Sequence, residues 1–165
     1  MPAKRIVVCA IIASSLALGF VLLPPRAASR LPHEEPGLSQ TTNDEPVPAF
    51  HSSVPPGPLP QTMSPALFSD IVIQNAYTIA ARIKKVLYQQ PCYCHCDRSQ
   101  GHGSLLDCFA SKHAAGCEIC VREGFYAYEQ SHKGKTAGQI REGIERGDWQ
   151  QVDITKYQTP VPSAK

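Results

Sequence analysis

Six of the seven cysteines of this 165-residue chain lie within one short segment, between Cys92 and Cys120. Three of them alternate with other residues in the run CYCHC, which begins at Cys92. Cys108 follows, and a Cys-x-x-Cys pair, Cys117 and Cys120, completes the set. Small domains often depend on disulfides or metal ions because their hydrophobic cores are limited. Whatever this chain folds into therefore has to be built around these sulfur atoms.

The cysteine pattern is compatible with three kinds of chemistry. An even number of cysteines in an exported protein is most often a disulfide framework, and six cysteines allow 15 pairings. Alternating thiols, however, are crowded for separate bridges and supply a compact set of soft donors for a metal ion. A Cys-x-x-Cys pair at a helix start suits a metal site or a redox-active dithiol. We favour metal binding, and the redox dithiol and the disulfide framework are the alternatives.

Sulfur ligands select Cu(I), Zn(II) or iron–sulfur centres, and outside the cytoplasm we expect Cu(I) or Zn(II). His102 lies between two glycines, which leaves its imidazole free to turn towards the thiols. His95 alternates with the cysteines and is expected to point away from them, while His113 and His132 are expected to be ordinary surface residues. The predicted metal ligands are Cys92, Cys94, Cys96, His102, Cys108, Cys117 and Cys120.

A long helix is predicted at the start of the folded domain, which we place at residues 64–150. Ser64 and Pro65 form a favourable helix start, with a side-chain oxygen at the cap and proline in the first turn. Apolar residues then recur mostly at three- and four-residue steps. Pro91 ends the pattern, so the predicted helix has about 24 residues.

Three shorter helices are predicted further along the chain. One follows a cap at Ser104, one covers about residues 117–131, and one begins with a capping box at Thr136 and Gln139. No stretch alternates with the two-residue period of a strand. The sequence therefore predicts a small all-α, cysteine-rich domain, with residues 151–165 as a coil tail.

Residues 1–29 have the composition of a signal peptide or an N-terminal membrane anchor. Lys4 and Arg5 precede an uncharged apolar run, Ile6–Leu23. This run is longer than that of most cleaved signals and close to the minimum for a membrane-spanning helix. Cleavage and retention both remain open, and Cys9 within the run is assigned no chemical role. In either case we expect the rest of the chain outside the cytoplasm, in the periplasm or at the cell surface, membrane-anchored or secreted.

Residues 30–63 are predicted to be a disordered linker. Eleven of the 15 prolines fall between Pro24 and Pro65. Such a composition buries too little apolar surface to offset the entropy of ordering, so a semi-stiff tether is expected. Three of the 16 basic residues precede Arg30, which leaves 13 against 14 acidic residues beyond the targeting segment. That balance gives no reason to expect a nucleic-acid partner.

The cysteine motif resembles that of a known bacterial family. The run PCYCHC from Pro91 is followed by Gly-His, Asp-Cys-Phe and Cys-Glu-Ile-Cys segments, which end at His102, Phe109 and Cys120. This arrangement is similar to the family named for its PCYCGC motif, also called the CYCXC family, over roughly residues 67–149. The resemblance implies an exported or membrane-anchored protein with no established reaction. Some members carry selenocysteine, which implies thiolate or selenolate chemistry rather than inert disulfides.

These features predict an extracytoplasmic, membrane-tethered protein that binds Cu(I) or Zn(II) through thiolates, as a carrier, buffer or sensor. The alternatives are a thiol-disulfide redox protein using the same cysteines and a disulfide-stapled interaction module. The sequence contains no phosphate-binding glycine loop, serine elbow or zinc-protease helix, so binding is favoured over catalysis. The expected partners are the membrane, through an uncleaved N-terminal helix, and a metal-handling or redox protein.

Overall fold

The computed structural model of the protein describes residues 45–162. Within this range the chain is helical and contains no strand, which confirms the all-α class for this part of the chain. The signal or anchor predicted for residues 1–29 lies outside the described residues. None of the helices described has the length and apolar composition needed to cross a bilayer. The α-helices are α1 (Ile71–Arg82), α2 (Lys84–Leu87), α3 (Cys96–Gln100), α4 (Leu105–Ala110), α5 (Glu118–His132) and α6 (Ala137–Glu145).

The long helix predicted from Ser64 is broken into shorter pieces. Ser64 precedes only a 3-10 turn, Pro65–Leu67, and its side chain makes no capping hydrogen bond. α1 begins after Asp70, whose carboxylate accepts hydrogen bonds from two backbone N–H groups of the first turn. The chain leaves helical geometry again at Ile83 before α2 begins. The prediction was wrong about the helix start because Asp70 is the better-placed cap.

The shorter helices form close to their predicted positions. Ser104 precedes α4, and the Asp107 carboxylate accepts hydrogen bonds from the backbone N–H groups of Gly103 and Ser104 at 2.8 and 3.1 Å. Thr136 and Gln139 form the predicted capping box at the start of α6. The five-residue α3 was not predicted, and it begins at Cys96, the third of the alternating cysteines.

The core lies between α1, α4 and α5, where Tyr77, Phe109 and Phe125 are fully buried. α4 and α5 approach closely because α5 has a glycine, Gly124, opposite the Phe109 ring. A Cβ atom at Gly124 would lie 2.8 Å from the Cζ atom of Phe109. This close contact brings the cysteine of α4 towards those at the start of α5.

Residues 45–63, which composition assigned to a disordered linker, lie against the helical domain. Pro48 is fully buried, and the ring of His51 stacks on Tyr88 with centroids 3.9 Å apart. Prolines lack an N–H group, so an extended proline-rich segment can pack on a helical surface without leaving a donor unpaired. The structure therefore departs from the linker prediction over these residues, and the rest of that linker lies outside the described range.

The C-terminal residues 151–162, predicted as coil, complete the core. The ring of Tyr157 stacks on Phe125 with centroids 3.6 Å apart and planes inclined by 3°. The side-chain amide of Asn75 donates to the carbonyls of Tyr157 and Thr159 at 2.7 and 2.8 Å. The folded domain consequently extends beyond the boundary at residue 150 that periodicity suggested.

Candidate metal centre

The six cysteines converge from four places in the fold into one cluster. They come from the turn after α2, from the start of α3, from α4 and from the start of α5. Neighbouring sulfur atoms lie 3.3–3.6 Å apart, far beyond the roughly 2.05 Å of a disulfide bond. All six are free thiols: Cys92, Cys94, Cys96, Cys108, Cys117 and Cys120.

The cluster contains two overlapping groups of four potential ligands. Within each group all ligand atoms lie within 4.8 Å of one another. A tetrahedral site with metal–sulfur bonds of about 2.3 Å has sulfur–sulfur edges of about 3.8 Å, so both groups have the dimensions of a metal site. The inner group is Cys92, Cys94, Cys96 and Cys108, and the outer group is Cys94, His113, Cys117 and Cys120.

Cys94 belongs to both groups and joins them. Its sulfur lies 3.3 Å from that of Cys92 and 3.6 Å from that of Cys120. The Nε2 atom of His113 is 3.3 Å away on the outer side. Because Cys92 and Cys120 also approach to 3.3 Å, the two groups form one continuous cluster. A cluster of this composition is positioned to bind a metal.

His102, which the sequence placed among the ligands, lies beside the inner group. Its Nδ1 atom is 3.2 Å from the sulfur of Cys96 and 3.4 Å from that of Cys108. The imidazole can bind a metal through this nitrogen or, in the other tautomer, donate its N–H to the two sulfurs. It is not one of the four atoms that define either group.

His113 was expected to be an ordinary surface residue, but it lies in the cysteine cluster. Its ring lies edge-on to that of His102 with centroids 5.2 Å apart, and it belongs to the outer group. The signal was its position four residues before Cys117, since the intervening 3-10 turn, His113–Gly116, returns the imidazole to that thiol. His132 is exposed on α5, as predicted.

His95 occupies the position that is glycine in the PCYCGC motif. It has φ +55° and ψ +34°, in the left-handed region that glycine favours. Its N–H donates to the carbonyl of Cys92 at 3.1 Å, so the tight turn between the alternating cysteines is kept. Its Nε2 atom lies 3.4 Å from the carboxylate of Glu45, away from the sulfur atoms, as predicted.

A buried carboxyl group holds the turn that carries Cys92 and Cys94. Glu123 on α5 has no exposed surface, and its Oε1 atom accepts the N–H of Tyr93 at 2.8 Å. Burial raises the pKa of Glu123 to about 8, against the opposing effects of the Cys92 thiol and the Tyr93 amide. The Oε2 atom has no hydrogen-bond partner among the described residues. A buried neutral carboxyl group therefore fixes, through this hydrogen bond, the turn that carries two thiols of the inner group.

Hydrogen bonds among the thiols divide their protons unevenly. Interactions with the thiols of Cys108 and Cys120 hold the pKa of Cys94 well below its usual range. Interaction with Cys120, and then with Cys92, raises the pKa of Cys108. Burial raises the pKa of Cys117. Burial and mutual interaction thus keep several of these thiols protonated, and binding a metal to them would release their protons.

Fold and site together define a small all-helical domain built around a free-thiol cluster. The family model described as "Protein of unknown function with PCYCGC motif" matches residues 60–162, more than half of the chain. The chain belongs to this family, as its cysteine motif predicted. The match also includes the segment after residue 150 that packs on the core. No curated protein and no solved structure shows a significant match to the chain.

Proposed function

We propose that this protein binds a thiophilic metal ion, Cu(I) or Zn(II), and acts as its carrier, buffer or sensor. The observation that supports this proposal most is the convergence of six free thiols with neighbouring sulfurs 3.3–3.6 Å apart. Soft sulfur donors select these ions over Mg²⁺ and Ca²⁺, which take oxygen ligands. The two groups of four suit the tetrahedral preference of Zn(II). Sulfur shared between groups equally suits clusters of Cu(I).

The proposal includes a location outside the cytoplasm. It is supported by the sequence of residues 1–29, whose charged start and long apolar run are typical of a signal or an anchor. A tether of this kind would hold the metal-binding domain near the membrane and within reach of a metal-handling partner protein. The six predicted cysteine ligands belong to the same proposal, together with His113. His102, also predicted as a ligand, lies beside the sulfurs of Cys96 and Cys108, and its substitution tests whether it binds the metal.

A thiol-disulfide redox function is the second candidate. Cys117 favours it, because this thiol is only half-buried and forms a Cys-x-x-Cys pair with Cys120 at the start of α5, the spacing of redox-active dithiols. A redox protein would cycle between the free thiols and a disulfide, whereas a metal protein would keep its thiols reduced and bound.

The two candidates are separated by measuring metal content and reactive thiols on the same sample of the full chain. The chain is purified under reducing conditions in detergent and loaded with Zn(II) or Cu(I). Metal binding predicts bound metal by elemental analysis and thiols that become reactive only after a chelator is added. Absence of metal after loading, with the cysteines paired in disulfides, would overturn the proposal. The Cys9→Ser variant is the matched control and should bind metal as the parent does.

A further inference from the structure

The number of ligands in the cluster exceeds what one metal ion can use. A tetrahedral ion takes four ligands, and the inner and outer groups offer four each. One sulfur, that of Cys94, is common to both. A thiolate sulfur has lone pairs enough to bridge two ions, so seven side chains complete two tetrahedral sites. One ion would leave at least three of these ligands without a metal.

Charge is compatible with a second ion. Thiols that bind no metal keep their protons, so one divalent ion held by the four inner thiolates leaves an excess of two negative charges. Two divalent ions held by six thiolates leave the same excess, and no further uncompensated charge is buried. This excess lies next to the positive N-terminal end of α5, where Cys117 is the cap and Cys120 lies in the first turn.

The two groups differ in their access to solvent. Besides Cys94, the inner thiols Cys92, Cys96 and Cys108 are at most 3% exposed. In the outer group only Cys120 is buried, and its other ligands are half-buried. A cleft of about 330 Å³ also opens beside Cys117 at the outer side. An ion in the outer group is therefore reached from solvent more easily than one in the inner group.

We propose that the cluster binds two metal ions bridged by Cys94, an inner ion retained by buried thiols and an outer ion that exchanges with solvent. This inference rests on the proposed metal-binding function. The outer ion is the one that the protein would deliver or sense, while the inner ion fixes the turn after α2, α3 and α4 around the site. His102 then stands beside the inner ion, within reach of the sulfurs of Cys96 and Cys108.

The test counts the ions and follows their exchange. The full chain in detergent is loaded with Zn(II), its stoichiometry is measured by native mass spectrometry, and isotopically labelled Zn(II) is then added. We expect two ions per chain, one of which is replaced faster than the other by roughly tenfold or more. One ion per chain, or two ions that exchange at the same rate, would overturn the two-ion proposal and leave the proposed function standing. A chain that binds no Zn(II) or Cu(I) would overturn both.

Variants assign the ions to their groups. His113→Ala removes a half-buried outer ligand, so circular dichroism should show an unchanged helix content while the fast-exchanging ion is lost. His132→Ala, a change of the exposed histidine on α5, should keep both ions and is the matched control. Loss of the slow-exchanging ion in His113→Ala would contradict the assignment.

Discussion

The inner and outer groups, which are the two halves of the cysteine cluster, offer similar ligands but differ in their surroundings. Both provide four ligand atoms within 4.8 Å of one another, so the number of ligands does not distinguish them. The inner half is enclosed by α3, α4 and α5, whereas the outer half opens to a cleft beside Cys117. The shell around a metal site controls access to it. Packing around each thiol, rather than the number of ligands, is therefore what would make the inner position retained and the outer position exchangeable.

The largest effect is expected from Cys94→Ser, which removes the sulfur common to both halves. The variant should lose both ions together, since serine is a poor ligand for thiophilic metals. Its affinity should fall by more than the roughly 10–100-fold that follows loss of a group that only orients a ligand. Titration with Zn(II), followed by native mass spectrometry, measures this. Retention of one tightly bound ion would contradict the bridging role of Cys94.

Cys108→Ser and Cys117→Ser separate the halves from each other. Cys108 is fully buried, so a hydroxyl group there should remove the inner ion and lower the free energy of unfolding by about 1–3 kcal/mol even without metal. Cys117 is half-buried, and its replacement should remove the outer ion with little effect on the fold. Chemical denaturation with and without Zn(II) measures both effects. Equal destabilisation by the two variants would argue against different roles for the halves.

His102→Ala and His113→Ala compare the two imidazoles. His113 completes the outer group, so its loss should weaken outer binding by roughly 10–100-fold or more. His102 contacts two sulfurs of a group that already has four ligands, and its loss should weaken the inner ion less. Competition with a zinc-binding dye measures the two affinities. A stronger effect of His102→Ala would indicate that His102 is itself an inner ligand.

Glu123→Gln tests the support behind the inner group. The pKa of Glu123 is raised from 4.5 to about 8, so the folded state keeps a proton that the unfolded state loses. The contribution of this group to stability is therefore fully present below about pH 4.5 and is lost as the pH rises towards 8. After metal removal, the free energy of unfolding of the variant, measured relative to that of the parent, should rise by about 2 kcal/mol as the pH goes from 5.5 to 7.

The comparison between variant and parent isolates Glu123 from the nearby thiols of Cys92 and Cys94, which are present in both chains. Glutamine keeps an oxygen that can accept the N–H of Tyr93, so the turn should stay in place. Denaturation curves at several pH values provide the measurement. If the free energies of unfolding of the two chains change in parallel with pH, the pKa of Glu123 is the same in the folded and unfolded states, which would contradict the prediction.

The smallest effect is expected at the turn that joins the halves, from His95→Gly. A left-handed backbone costs a non-glycine residue about 1–2 kcal/mol. Two effects offset part of this cost: the contact of His95 with Glu45, and the lower backbone entropy that histidine has, compared with glycine, in the unfolded chain. We expect a gain of about 0.5–1 kcal/mol in the free energy of unfolding. His132→Gly, at the last residue of α5, should instead lower the free energy of unfolding by up to a similar amount. A destabilised His95→Gly would mean that the Glu45 contact outweighs the backbone strain.

Much of the site could be predicted because its chemistry is local in sequence. Alternation of three cysteines and the Cys-x-x-Cys pair mark the thiols that the fold brings together, and the glycines around His102 predicted an imidazole that could turn towards them. His113 could not be recognised in the same way. Its spacing from Cys117 places it near that thiol through the 3-10 turn. Its approach to Cys94 depends also on the contact of Phe109 with Gly124, which no local pattern encodes.

In the fold, too, features that depend on local sequence were predicted, and those that depend on tertiary contacts were not. Capping residues predicted α4 and α6, because a cap acts on the helix that follows it directly. Composition failed for residues 45–63, since average hydrophobicity does not show that Pro48 is buried or that His51 stacks on Tyr88. Such contacts depend on a surface that only the folded domain provides.

X-ray absorption spectroscopy of the Zn(II)-loaded full chain is the most direct test of a thiolate metal centre, because it reports the atoms bound to the metal. We expect the metal to be surrounded mainly by sulfur at about 2.3 Å, with a minor nitrogen contribution at about 2.0–2.1 Å from histidine. The outer-group variant His113→Ala should lose nitrogen and keep the sulfur shell. A first shell of oxygen and nitrogen alone would contradict the assignment of these cysteines as a metal centre.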